Sequence, residues 1–218
     1  MKYDGILFDL DGTLANTITS IAHCANQALN RFGLPSFTEE EYKLFVGNGA
    51  DVLIRRALAA AGDREMVHFD EAYEEYRRLF REGCMYQVRP YEGIVPLLER
   101  LKESGAKIAV LSNKPHENSV YVVESLFGKG YFDCVCGRKE NVLPKPDPAG
   151  VFAVLKELGL SPEECLYVGD SGVDMQTGKA AGLFTIGVLW GFRGRQELEE
   201  NHADAVIETP EMLLHYME

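Results

Sequence analysis

The sequence predicts an α/β protein: a parallel sheet covered by helices, with a helical unit inserted after the first strand. Three observations predict it. Short apolar runs ending in small or polar residues recur along the chain, and segments of helical periodicity separate them. The first run is followed by helical sequence only, and the second does not arrive until residue 107. Several runs deliver acids, hydroxyls or lysines at their carboxyl ends, the edge at which open parallel sheets bind ligands.

The expected strands are Ile6–Leu10, Lys107–Ser112, Phe132–Cys136, Cys165–Asp170 and Phe184–Leu189, with a short sixth at Ala205–Ile207. Their alternation with helices argues for a sheet buried on both faces. Ile94, Leu97, Leu98 and Leu101 repeat at helical spacing, and Gly105 stops that helix. Asp147 is the expected N-cap of a helix with Pro148 at its first position, running to Leu158 before Gly159. Ser161-Pro162-Glu163-Glu164 opens a short turn.

Inside the insert, Ile18, Ile21, Ala25, Leu29 and Phe32 form one stripe that closes on Gly33 and Pro35. Thr38 to Glu41 fits a capping box. Val52, Leu53, Ala57 and Leu58 form a second stripe, and Phe69, Tyr73, Tyr76 and Phe80 a third. The expected division is therefore a catalytic core of residues 1–15 and 85–218 and a helical cap of residues 16–84. The cap is expected over the end of the first strand.

The 218 residues carry 22 basic and 34 acidic side chains, a net charge of −12. No basic excess exists to release counterions, which argues against nucleic-acid and anionic-membrane partners. No apolar run approaches the roughly 18 residues of a membrane span. Met-Lys-Tyr-Asp leads straight into a strand without a signal-peptide pattern, so the expected location is cytoplasmic. The five cysteines form no Cys-x-x-Cys pair and are expected as reduced thiols. A monomer or a homodimer is expected.

The chemistry sits in four segments at expected strand ends. They are Asp9-Leu10-Asp11-Gly12-Thr13, Ser112-Asn113-Lys114-Pro115, Lys145-Pro146-Asp147-Pro148 and Gly169-Asp170-Ser171-Gly172-Val173-Asp174. Each has a purely structural reading alone: Asp11-Gly12 as a turn, Lys145 as a solvated loop lysine, Asp170 or Ser171 as a helix cap. Four in order on one sheet edge argue for a site. Clustered carboxylates Asp9, Asp11, Asp170 and Asp174 repel unless a cation joins them, and oxygen ligands suit Mg²⁺. A hydroxyl, the backbone amides after it and a lysine suit a phosphate. One carboxylate can attack phosphorus while a second, two residues on, moves protons.

Together these segments resemble the haloacid dehalogenase superfamily in its phosphatase branch, over nearly the whole chain. The resemblance implies a Rossmann-like core with an inserted helical cap. It implies Asp9 as the nucleophile that forms an aspartyl-phosphate and Asp11 as the acid/base. Mg²⁺ would be held by Asp9, the backbone carbonyl of Asp11 and Asp170, with Asp174 in support. Thr13, Ser112, Asn113 and Lys145 are the expected substrate-side residues of the core. An acid at position 11 is unlike true dehalogenases. Ile21 stands where the β-phosphoglucomutase relatives have a cap histidine, and the first cap helix offers no convincing lysine for phosphonoacetaldehyde hydrolysis.

Ser112-Asn113-Lys114-Pro115 and the segment Val46–Leu53 are similar to those of phosphoglycolate phosphatases. The latter contains Gly47-Asn48-Gly49, whose amides could meet a small carboxylate. Asn16 and Gly178 depart from the family pattern outside the chemistry. The expected activity is Mg²⁺-dependent hydrolysis of a small phosphorylated metabolite, 2-phosphoglycolate first. Pyrophosphate or a sugar or nucleoside monophosphate is the alternative, and a non-catalytic regulatory binding module the remoter one.

Overall fold

The computed structural model describes residues 2–139 and 142–217. In chain order the elements are β1 (Gly5–Phe8), β2 (Ala15–Asn16), α1 (Ile18–Asn30), α2 (Glu39–Phe45), α3 (Ala50–Ala60), α4 (Phe69–Gly83) and β3 (Arg89–Pro90). Then follow α5 (Ile94–Glu103), β4 (Lys107–Pro115), α6 (His116–Phe127), β5 (Cys134–Arg138) and α7 (Ala149–Leu158). The chain ends with β6 (Cys165–Gly169), α8 (Gly172–Ala180), β7 (Phe184–Val188), α9 (Arg195–Glu200), β8 (Ala205–Ile207) and α10 (Leu214–Met217).

Six strands form one sheet in the order β5-β4-β1-β6-β7-β8, and every pairing in it is parallel. A two-stranded pair is made by β2 and β3. Strand β1 is central: Gly5 lies opposite Lys107 on one side and Cys165 on the other. Its four residues are all buried, as a strand covered on both faces requires. One face packs Leu7, Ala109, Leu111 and Tyr167 against Val151, Val154 and Leu155 of α7. Each fully buried aliphatic side chain contributes about 1.5–3 kcal/mol.

The chain divides into two compact units, Met1–Asn16 with Pro90–Glu218, and Thr17–Arg89. Within the second unit, α1 packs on α2 and α4, and α3 on α4. Thr38 and Glu41 make the expected capping box at α2. Tyr42 is fully buried and donates to Asn26 Oδ1 at 2.9 Å, and its ring meets Phe37 and Phe45 edge-on. Helix α4 buries Ala72, Tyr76 and Phe80, while Phe69 and Tyr73 stack on each other half-buried, with the Arg55 guanidinium 3.6 Å above the Phe69 ring.

Several boundaries differ from expectation for local reasons. Strand β1 stops at Phe8 because the chain then curls around Leu10, whose carbonyl accepts from the amides of Thr13, Leu14 and Ala15. Strand β4 continues to Pro115, with an irregularity in its pairing to β5 after Leu111. Helix α7 starts at Ala149, not Pro148: Pro148 is the N-cap, and Asp147 Oδ1 accepts from the Ala149 amide at 2.9 Å. Gly178 lies against Thr185 and Tyr167 with no room for a Cβ, which accounts for glycine there. All five cysteines are free. Among the described residues no helix is long and apolar enough to cross a membrane.

Candidate active site

Four strand ends of the sheet converge their polar residues. Beyond β1, Asp9 keeps one sheet bond, its amide donating to Val168 O at 2.9 Å, so the first carboxylate leaves from a fixed backbone. The loop then turns at Gly12, where φ is +91°. Any Cβ at Gly12 would collide with the carboxylate of Asp170, so glycine serves both the turn and the close approach.

Asp170, at the end of β6, is held from two directions. Its Oδ2 accepts from the Phe192 amide at 2.7 Å, and Thr13 Oγ1 lies 3.4 Å from Oδ1. Gly191 permits this: a Cβ there would strike Asp170 and Gly12 O. Trp190 Nε1 donates to Thr13 O at 2.9 Å and ties the loop after β7 to the loop after β1. Ser171 caps α8, and Asp174 in its first turn returns the bond, Oδ2 accepting from Ser171 Oγ at 2.6 Å and Ser171 N at 3.1 Å.

Lys145 joins these acids. Its Nζ donates to Asp9 Oδ1 at 2.8 Å, to Asp174 Oδ1 at 2.7 Å and to Leu111 O at 3.2 Å. Its backbone is gripped by Asn113, which accepts from Lys145 N at 2.8 Å and donates to Lys145 O at 3.1 Å. Ser112 is buried beside it, its Oγ accepting from Lys114 N at 3.3 Å. We expect Asn113→Ala to release that grip. The mutant should lose about 1–3 kcal/mol of stability and at least about tenfold in kcat, checked by thermal melts and steady-state rates. An unchanged kcat would show that Lys145 is positioned without it.

The electrostatics follow from burial. Burial, and then the charges of Asp174 and Asp11, push the Asp9 carboxyl up to about 7 against the opposing pull of Lys145. Burial also holds Asp170 well above the carboxylate range, with Asp174 and Asp9 adding to the shift and the Phe192 amide and Arg193 resisting it. Burial alone would lower Lys145, but Asp174 and Asp9 outweigh it and hold its ammonium well above the ordinary lysine value. Burial, followed by the charges of Asp170 and Asp11, raises the Tyr91 hydroxyl above its ordinary range.

Oxygens of Asp9, Asp170 and Asp174 all lie within 4.8 Å of one another, and all three residues are buried. Three buried carboxylates against one ammonium, Lys145, leave an anionic excess that a hard cation would offset. The donor set fits Mg²⁺. All three acids already meet protein donors: Asp9 through Oδ1 from Lys145, Asp170 from the Phe192 amide and Thr13, and Asp174 from Lys145 and Ser171. Asp11 turns its carboxylate elsewhere, its Oδ1 accepting from Lys114 Nζ at 2.8 Å.

The core residues expected from the sequence therefore gather on one sheet edge. The residues missed there are Lys114, Trp190, Gly191, Phe192 and Tyr167, whose hydroxyl lies 3.5 Å from Asp174 Oδ1. A signal existed for the loop Trp190-Gly191-Phe192, which follows a fifth strand end. Gly47, Asn48 and Gly49 lie in the helical unit between α2 and α3, with φ of +114° at Gly47 and +101° at Gly49. Asn48 Oδ1 accepts from Arg56 Nη2 at 2.9 Å, and Arg56 Nη1 donates to Phe45 O at 3.0 Å, so Arg56 braces this loop.

Residues 6–188 match the family model of the haloacid dehalogenase-like hydrolases. The chain belongs to the haloacid dehalogenase-like hydrolase family. Among curated members of that family, it is 34% identical over 213 residues to the phosphoglycolate phosphatase of Aquifex aeolicus, covering 98% of this chain and 96% of that one. It is 35% identical to the phosphoglycolate phosphatase of Yersinia pestis over 93% of this chain and 88% of that one. Among solved structures, a Lactobacillus delbrueckii protein superposes with a TM-score of 0.92 at 32% identity, covering 100% of this chain and 99% of that chain. A predicted phosphoglycolate phosphatase of Haemophilus somnus gives the same TM-score and coverage at 27% identity. As a haloacid dehalogenase-like hydrolase with these relatives, the chain is a phosphoric monoester hydrolase.

Proposed function

We propose that the protein is a Mg²⁺-dependent phosphomonoesterase of small phosphorylated metabolites, with 2-phosphoglycolate as its first substrate. The observation that carries this reading is the separation of the two acids. Asp9 is paired with Lys145, and Asp11, two residues on, with a different lysine, Lys114. A binding module has no use for two acids held apart in this way.

In this reading an Asp9 carboxylate oxygen attacks phosphorus and the phosphorus–ester bond breaks. Asp11 gives a proton to the departing alkoxide oxygen. The product is an aspartyl-phosphate and a free alcohol. Asp11 then takes a proton from a water that attacks phosphorus, and inorganic phosphate leaves as Asp9 is restored. Lys145, Ser112 and the amides after Ser112 hold the phosphoryl oxygens. Asp9, the backbone carbonyl of Asp11 and Asp170 would hold Mg²⁺, with Asp174 orienting Lys145 and supporting the site. Bound there, Mg²⁺ would neutralise phosphoryl charge as a Lewis acid.

The 2-phosphoglycolate assignment is supported by the named relatives and by the Val46–Leu53 and Ser112–Pro115 segments. It is tested by kcat/KM with Mg²⁺ over 2-phosphoglycolate, pyrophosphate, and sugar and nucleoside monophosphates. The expected result is a preference for 2-phosphoglycolate of at least about tenfold. A flat profile would remove the substrate assignment and leave the phosphatase. No hydrolysis of any ester would remove the enzyme.

A further inference from the structure

The chain has a single tryptophan, Trp190, and it is half-buried rather than part of the core. What it holds is the turn that carries Asp11. That turn is closed from within: Leu10 O accepts from the amides of Thr13, Leu14 and Ala15, and Ala15 O from Gly12 N. Two of its carbonyls are met from outside. Leu14 O accepts from the Tyr91 amide at 3.1 Å, and Thr13 O from Trp190 Nε1 at 2.9 Å. The next two residues complete a clamp. The Gly191 backbone comes so close that a Cβ there would lie 2.4 Å from Gly12 O and 2.6 Å from Asp170 Oδ2. The Phe192 amide donates to that same Oδ2 at 2.7 Å. Residues 190–192 therefore fix the Asp11 turn and Asp170 relative to each other, and the indole bond is the arm of this clamp that a side chain supplies.

We propose that Trp190 is a positioning residue: its indole N–H sets the orientation of the turn that presents the Asp11 carboxyl to the ester oxygen and the Asp11 carbonyl to Mg²⁺. The inference rests on the phosphomonoesterase reading of the same site. The internal bonds to Leu10 O and the Tyr91 amide keep the turn formed when the indole bond is lost. The bond therefore supplies aim more than folding. Misplacing a reacting group by about 1 Å can cost about 10²-fold in rate, whereas one hydrogen bond at a half-buried site changes stability little. The groups proposed to hold the phosphoryl oxygens, Lys145 and Ser112, are anchored through Asn113 and β4, away from Trp190. Loss of the indole bond should thus fall on kcat and on metal affinity, and spare KM.

Because the tryptophan is single, biosynthetic replacement changes this position alone. Three forms are compared with wild type. One carries 3-benzothienylalanine, which keeps the ring shape and puts sulfur in place of the N–H. One carries 5-fluorotryptophan, which keeps the N–H. The third is Trp190→Phe. The measurements are kcat and KM with Mg²⁺ on whichever ester of the panel above wild type hydrolyses best, Mg²⁺ affinity by calorimetric titration, and thermal melts. The benzothienyl form and Trp190→Phe should lose at least about tenfold in kcat with KM within about threefold of wild type. Both should bind Mg²⁺ at least about threefold more weakly while remaining folded at the assay temperature. The fluorotryptophan form should match wild type in all three measurements. Unchanged kcat and Mg²⁺ affinity in the benzothienyl form, or equal losses in the fluorotryptophan form, would overturn the inference alone. So would a loss that only tracks the unfolded fraction in the melts, since the role would then be structural. Wild type inactive on every ester would overturn the phosphatase reading, and the inference with it.

Discussion

Asp9→Asn abolishes turnover and leaves the fold intact: that is the expected result, with kcat down by at least about 10⁴-fold. An amide cannot attack phosphorus, and nothing else at the strand end can replace it, since Asp11 is turned to Lys114. The fold should survive because Asp9 sits in an overcrowded set of acids. Its burial and the nearby charges of Asp174 and Asp11 already disfavour its ionised form. Asparagine removes that penalty, while Lys145 keeps Asp174 as counterion. The metal-free variant should therefore melt at or above the wild-type temperature. Phosphate release, thermal melts and quenched intact-protein mass measure all three expectations. Only wild type should show a phosphorylated form. Retained phosphatase activity in the variant would remove Asp9 as nucleophile.

Metal removal is the second large effect, and its pH dependence has a defined sign. The Asp9 carboxyl is raised in the folded protein to about 7, and Asp170 is raised as well. Folding therefore favours their protonated forms. That contribution is complete below the ordinary carboxylate value of about 3.9 and fades as pH rises through about 7. The metal-free protein should lose thermal stability between about pH 5 and pH 8. Lys145, held well above the ordinary lysine value, stays charged across this window and does not reverse the trend. A divalent cation binds the ionised carboxylates, so its stabilisation should grow over the same interval. At a concentration one hundred times its Kd it contributes about 2.7 kcal/mol. Scanning calorimetry with and without Mg²⁺ measures this, and a chelator should stop hydrolysis of a generic aryl phosphate. Hydrolysis that survives chelation, or a Mg²⁺ shift indifferent to pH, would show that the acidic cluster has another purpose.

Much of the core was legible because its chemistry follows strand ends, and strands buried on both faces announce themselves as apolar runs. Asp9, Ser112, Lys145, Asp170 and Asp174 were readable in that way. Lys114 was not. The expected strand stopped at Ser112, whereas β4 runs on to Pro115 and carries Lys114 into the site, and its partner, Asp11, stands far away in sequence. The same holds for Phe192, which serves Asp170 through a backbone amide that carries no side-chain signature. The bond from Arg56 to the Asn48 oxygen, which braces the Gly47-Asn48-Gly49 loop, was not legible either, because it joins a loop to a helix eight residues on. Strand ends shifted by a residue or more where backbone hydrogen bonds inside the Leu10 turn outcompeted continuation of β1.

The central place of β1 also sets an order of events as the chain is made. The strand that carries the acids leaves the ribosome well before its two neighbours, which begin at residues 107 and 165. It must wait for them while residues 17–89, a compact helical unit of their own, can fold. Hydrolytic competence therefore arrives late in synthesis, once β6 has closed the second side of β1 and Asp170, Asp174 and the Phe192 amide have followed it. A nascent chain released before that point has its acids but no site.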